Sequence, residues 1–392
     1  MFKSDRTRLA AGLTVCVLLF ACTHQEAPVH QARKTASLSD QPPPELGEQW
    51  DKDVNGAQVS EIISISKDML EKRSKDDNFY RRDAHPKHHG CVMASFKVDS
   101  SALTSDLRVG IFAPEARTEY PAWIRFSNGD PDGGMKPDLP KDIRGMAIKL
   151  MNVPGATAGS QDFVMLTGKE FFSKNGADYL ELHKALSNPV TTVWYILTHS
   201  TTRHILNASK IQSPNPLQVQ YFSSVPYKLG PRSMKFKVYP CSTNEFHDEV
   251  PDGEPSRDYL RERLVSTLQS KNACFEFYVQ PNMNPEQQPV EDPTIAWDES
   301  TSPYIKVATL TIPHQNSIDS PAHMNFCENL SFNPWHTRPE TRPLGQINRM
   351  RLEIYPAISE FRHHFNNIPI IEPRSHEICV GETAPLCQTP RH

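Results

Sequence analysis

Residues 351–362 read RLEIYPAISEFR. Arg351 stands one helical turn before Tyr355, Pro356 follows the tyrosine directly, and Arg362 comes two turns later. A free phenol ionises only near a pKa of about 10. A guanidinium four residues earlier on the same helix face can hydrogen-bond a phenolate and hold it anionic. Such an oxygen is a competent ligand for a ferric ion. Taken alone, the spacing also describes a plain surface stacking pair, so its weight depends on what the rest of the chain supplies.

Upstream, short segments rich in β-branched and aromatic residues arrive in two blocks. The first holds CVMASFKV (91–98), PAWIRFSN (121–128), GMAIKLMN (145–152) and DFVMLTG (162–168). The second holds MKFKVYP (234–240), CFEFYVQP (274–281) and YIKVATLTIP (304–313). Gly, Pro, Asp and Asn separate the members of the first block, as strand-and-turn chemistry requires. Helical patterns lie before, between and after the blocks. Ile62, Ile63, Ile65, Met69 and Leu70 space an early helix, residues 177–199 form another broken at Pro189, and 255–269 form a third that Ser256 would cap. Strands in blocks rather than in strict strand–helix alternation predict an α+β fold, an antiparallel β-barrel core with surrounding helices.

The chain has 392 residues, 38% hydrophobic and 22% charged, with a net charge of −4. That balance gives no general basic field, so nucleic acid is not an expected partner. At the N-terminus, Lys3, Arg6 and Arg8 precede an apolar run from Leu9 to Phe20, and Ala21 precedes Cys22. This resembles a bacterial lipoprotein signal (1–21) with lipidation at Cys22, against an uncleaved anchor as the alternative. Polar residues 22–55 then form a tether, 56–371 the domain and 372–392 a tail. The expected location is the bacterial cell envelope, lipid-anchored at the outer membrane and facing the periplasm, where disulfides persist. Membrane contact is expected only through the lipid. Cys379 and Cys387 would close a short loop in the tail. Cys91 and Cys327 are open to either buried thiols or a disulfide, and no CxxC motif supports a zinc ribbon or a redox centre.

Nucleophile and phosphate motifs are lacking: there is no G-x-S-x-G elbow, glycine-rich phosphate loop or H-E-x-x-H helix. In RRDAHPKHHG, His85, His88 and His89 lack the acidic or cysteine partners of a metal set, and Pro86 breaks any shared helix face. His88 and His89 fit a solvated loop. His85, just before a strand, is a candidate base.

These segments, in this order, resemble the haem catalases. RLEIYP with Arg362 resembles their proximal signature, RRDAH the distal-histidine segment, IRFSNG the strand after it, KDIRGMAIKL the D-x-R-G-x-A-x-K segment, and DFVMLTGKEFF the next strand and turn. The resemblance runs from about residue 80 to 365 and implies haem b with ferric iron. It makes Tyr355 the axial iron ligand, Arg351 its hydrogen-bond partner, and Arg82, Arg125 and Arg362 partners of the haem propionates. It also makes His85 the distal acid–base group, Ser127 the residue that orients it, and Tyr179 an aromatic ring over the haem.

The departures shape the expected activity. Leu166 stands where fast catalases carry a distal asparagine, Ala84 is smaller than the usual residue there, and PKHHG replaces the usual sequence after the histidine. FNPWHTRPETRPLGQINR (332–349) is closer to small catalase-related peroxidases than to large monofunctional catalases, and no long helical extension follows Arg362. The expectation is a haem peroxidase that consumes peroxide with an unidentified electron donor and has weak catalase activity. The alternatives are a fatty-acid hydroperoxide isomerase or lyase and a haem-binding protein with little turnover. Homo-oligomer formation is compatible with all three.

Overall fold

The computed structural model describes residues 41–76, 78–131 and 136–378. The signal peptide, Cys22, residues 22–40 of the expected tether, and Cys379 and Cys387 lie outside the described residues.

Eight antiparallel strands close into a barrel, with two short strands attached. In chain order the barrel strands are β1 (His88–Val98), β2 (Glu119–Asn128), β3 (Asp142–Met151), β4 (Ser160–Leu166), β6 (Tyr221–Phe222), β8 (Arg232–Pro240), β9 (Ala273–Pro281) and β10 (Ile305–Ile312). β5 (Lys210–Ile211) pairs with β3, and β7 (Tyr227–Leu229) pairs with β8. The ring runs β2–β1–β10–β9–β8–β6–β4–β3 and closes through the β2–β3 pairing. Alternation along each strand sends Ile124, Phe126, Met146, Ile148, Phe163 and Met165 into the barrel core. There Phe96, Phe163, Phe236 and Phe277 pack ring on ring. The alternate residues Arg125, Ser127, Gly145 and Leu166 therefore face outwards, beneath the helices.

The helices are α1 (Lys52–Arg73), α2 (Gly176–Leu186), α3 (Pro189–Thr198), α4 (Ser200–Ser209), α5 (Tyr259–Leu268), α6 (Pro321–Asn329) and α7 (Gln346–Phe365). Val59, Ile62 and Leu70 of α1 pack on Met350, Ile354 and Ile358 of α7. The break expected at Pro189 is present: Asn188 caps α3 through Val190 N, and Pro189 takes the first turn, where its missing N–H costs nothing. Ser256 does not cap α5. Its hydroxyl donates to the Glu262 carboxylate, and the cap position belongs to Asp258, whose own carboxylate is taken by Lys87 at 2.8 Å.

Two stretches that composition assigned to tether and tail contribute packed residues. Glu48 is buried, accepts hydrogen bonds from Arg342, Arg349 and Gly345 N, and so fixes residues 41–50 against the start of α7. Glu372 and Asp162 enclose the buried Lys149 ammonium at 2.9 and 2.8 Å. Burial opposes the charge of Lys149, but the two carboxylates outweigh it and raise its pKa. Among the described residues two disulfides form, Cys91–Cys327 and Cys241–Cys274. The first ties β1 to α6.

Candidate haem site

The distal half is built on a row of paired residues crossing three outward-facing strands. Ser127 of β2 pairs with Gly145 of β3, which pairs with Leu166 of β4. Ser127 Oγ lies 3.2 Å from Nδ1 of His85. Gly145 is what admits the ring, because a Cβ there would come within 2.6 Å of Nδ1 and 2.8 Å of Cε1. His85 adopts a positive φ of 56°, a strained backbone for a non-glycine residue, and Arg125 Nη2 donates to its carbonyl at 3.0 Å. Burial pushes the imidazole down to about 4, and the Arg125 charge adds to the shift. The ring is therefore neutral at neutral pH.

Residues 87–89 anchor this segment. Lys87 Nζ is 2.7 Å from the Asp138 carboxylate, His89 Nε2 is 2.9 Å from Asn128 Oδ1, and Asn128 Nδ2 donates to Asp138 at 2.7 Å. His88 and His89 are buried rather than in a solvated loop, because β1 begins at His88; the polar network receives His89, while His88 Nε2 lies 3.6 Å from Glu328 Oε2. Burial lowers both of their pKa values, that of His89 to about 3.

The second feature is an arginine cluster. Arg362 of α7 donates to Glu328 Oε1 at 2.6 Å and to the Glu328 carbonyl at 3.1 Å. Arg82 donates to the carbonyls of Cys327, Glu328 and Leu330. Arg125 feels the charges of both Glu328 and Arg362, and burial lowers its pKa to about 10 despite the carboxylate. Burial likewise lowers Arg82 well below the ordinary value, helped by Arg125 and Arg362. Three guanidiniums thus share one side-chain carboxylate. Arg82 Nε, Arg125 Nε and Glu328 Oε2 have no hydrogen-bond partner.

The third feature lies on α7. Arg351 Nη1 donates to Asn348 Oδ1 at 3.1 Å, its Nε has no partner, and its guanidinium is 5.0 Å from the Phe171 ring centre and 5.9 Å from that of Tyr355. Burial opposes the Arg351 charge, but Tyr355, Tyr179 and Tyr227 outweigh it and raise the pKa. Burial pushes the Tyr179 phenol up to about 12, against the opposing charge of Arg351. It therefore belongs to the Arg351–Tyr355 group. Tyr80 joins the halves: its backbone N–H donates to Asn366 Oδ1 at 2.8 Å, its carbonyl accepts from Asn366 Nδ2 at 2.9 Å, and its ring stacks on Phe365.

The fold thus brings His85, Ser127 and Arg125 together, gathers Arg82, Arg125 and Arg362 round Glu328, and groups Tyr179 and Arg351 with Tyr355. Sequence reasoning missed Glu328, which has no periodic signal, and the role of Gly145, for which a glycine inside a strand pattern was the available cue.

This architecture is shared with solved catalases. Catalase A from Saccharomyces cerevisiae aligns with a TM-score of 0.60 and 18% identity, covering 77% of this chain and 65% of its own. A fungal catalase aligns with a TM-score of 0.59 and 19% identity, covering 88% of this chain and 70% of its own. The chain therefore spans somewhat under two thirds of the length of yeast catalase A. At such identities the likeness establishes the fold, which is that of the catalases. No protein-family model and no curated protein matches the sequence.

The residues present fit a haem. Buried guanidiniums in excess of carboxylates are costly unless an anion joins them. Two propionates would balance Arg82, Arg125 and Arg362 together with Glu328 and meet the unpartnered Nε groups. Tyr355, beside a buried cation, would hold the iron.

Proposed function

We propose that this chain is a haem-dependent oxidoreductase that consumes peroxides, with peroxidase activity exceeding catalase activity, carried on a lipid-tethered protein of the bacterial envelope. The observation that carries the reading is the arginine cluster beside a neutral, oriented histidine: an anion-seeking, buried socket next to a proton acceptor. Bound haem b supplies the redox chemistry of a ferric centre.

The chain's own residues supply binding and proton transfer. Arg82, Arg125 and Arg362 anchor the propionates. His85 Nε2 takes a proton from peroxide and returns it to the departing oxygen, work suited to a neutral imidazole. Ser127 and Gly145 hold that ring in position. Arg351 sets a buried guanidinium 5.9 Å from the Tyr355 ring centre, and its Nη1 donates to Asn348 Oδ1.

Leu166 favours a larger, more apolar peroxide over hydrogen peroxide. It follows Ser127 and Gly145 in the same cross-strand row, so an aliphatic side chain stands on the His85 face of the barrel. That supports conversion of fatty-acid hydroperoxides as the second reading, and it favours the small catalase-related group over the large catalases. Product analysis with lipid hydroperoxides separates the two readings.

The test of the haem assignment is the optical spectrum of purified protein and of Tyr355→Phe. The expected result is a haem spectrum in the parent chain and its loss or a marked shift in the variant. An unchanged spectrum and unchanged haem content would remove Tyr355 from the iron.

A further inference from the structure

α3 is an apolar helix with little to pack against. Its sequence, PVTTVWYILT, contains no charged residue, and Tyr195 is its one fully buried side chain. Val190, Val193, Trp194 and Leu197 follow the spacing of a single helix face, and all are exposed: Val190 77%, Trp194 70%, Leu197 63% and Val193 61%. Leu186, at the end of α2, is also exposed. Soluble surfaces carry isolated apolar side chains freely, but a contiguous stripe with a tryptophan at its centre calls for a partner.

Charge indicates which partner. Between Glu181 and Glu245 the sequence holds no acidic residue, whereas Lys184, Arg203 and Lys210 flank α3, in a chain whose net charge is −4. Lys184 is paired with Glu61 at 2.8 Å and His199 faces Glu181 at 3.8 Å, while Arg203 donates to the carbonyls of Ile196 and Leu197 at the end of α3. With Lys184 neutralised by Glu61, the cations left beyond the end of α3 are Arg203 and Lys210, and an apolar, Trp-bearing face next to them suits a helix lying in a lipid interface that anionic headgroups strengthen. Among the described residues no helix is long and apolar enough to cross a membrane, so the contact is with the surface. On the tether reading, the proposed leader would place Cys22 at a bilayer.

We infer that the exposed face of α3, centred on Trp194, is a membrane-docking surface that seats the domain on an anionic bilayer, a second contact beyond the lipid at Cys22. The inference uses the tether reading to supply the bilayer. α2 carries Tyr179 and packs on α3 through Leu182, Ala185 and Tyr195, so the docked surface adjoins the candidate site.

The test is fluorescence of the full chain with vesicles of phosphatidylcholine, with and without phosphatidylglycerol, containing brominated acyl chains. Expected is quenching of a component that Trp194→Phe removes, stronger on the anionic vesicles. In Val193→Ser/Leu197→Ser, two exposed positions, that component should fall about tenfold or more in apparent vesicle affinity. If the chain binds vesicles through its N-terminus while Trp194 stays unquenched, the docking face is refuted and the tether stands. If Trp194 is quenched equally in a Cys22→Ser chain that carries no lipid, docking holds independently of the tether; a parent chain whose mass shows no lipid on Cys22 removes the tether and leaves docking standing. Concentration-dependent shielding of Trp194 from a soluble quencher without vesicles, with Val193→Cys giving crosslinked dimers, would assign the face to a second copy and overturn the proposal.

Discussion

Ser127 Oγ stands 3.2 Å from Nδ1 of His85, and the ring they share rests on Gly145, where even a methyl group would reach within 2.6 Å of that nitrogen. The barrel wall thus sets the direction of the imidazole by one polar contact and one missing side chain. Gly145→Ala is expected to fold and to retain haem, because the β2–β3–β4 pairing is backbone-made. Its reaction with peroxide should slow by about 100-fold or more, the scale of a displaced general base. Stopped-flow absorbance measures it; a variant as fast as the parent would show that His85 does not act from this position.

The depressed pKa of His85, about 4, gives a definite pH dependence. The neutral base is present at all pH values well above 4, so peroxide reactivity should be level from about pH 5.5 to 8 and decline only towards pH 4. Because the folded-state pKa lies below the unfolded value of about 6.5, unfolded chains bind more protons between these values. Stability is therefore full above pH 6.5 and is lost as pH falls towards 4. His89, near 3, and His363, near 4, act with the same sign. A rate profile with its acid limb at pH 6.5 would contradict the burial of His85.

Arg125→Met separates the cost of the arginine cluster from its use. In the haem-free chain it removes a buried charge that Glu328 already shares with Arg362, so the melting temperature should hold or rise. Haem affinity should fall about tenfold or more, since a charge-assisted propionate contact is lost. Parallel thermal melts and haem titrations read the two effects. A destabilised haem-free chain with unchanged affinity would make the cluster structural.

Leu166→Asn restores a polar group on the His85 face. Oxygen evolution from hydrogen peroxide should increase about tenfold, roughly the effect of one well-placed hydrogen bond. Turnover with a bulky organic hydroperoxide should decline. Assays with an oxygen electrode against donor oxidation give the ratio, and no change in it would remove Leu166 from the pocket.

Local chemistry made much of this protein legible in one dimension. Strand alternation, turn residues and the Pro189 break follow from backbone sterics and burial, and these gave the barrel strands and the α+β class. The expectation of a haem site at His85, Arg125, Ser127 and Arg351–Tyr355 came instead from the resemblance of those segments to the haem catalases. What only the tertiary structure decided depends on residues distant in the chain. Glu328 has no signal of its own until α6, held to β1 by Cys91–Cys327, carries it between Arg82 and Arg362. His89 looks solvated until the Asn128–Asp138–Lys87 network buries it, and His88 until β1 turns its ring toward Glu328. Glu48 and Glu372 sit in polar, proline-bearing sequence, yet each becomes a buried partner of a cation hundreds of residues away. Periodicity registers which face of an element is apolar. It does not register where a lone charge finds its counter-charge, because that pairing is set by closure of the barrel and the packing of α7 and α6 against it.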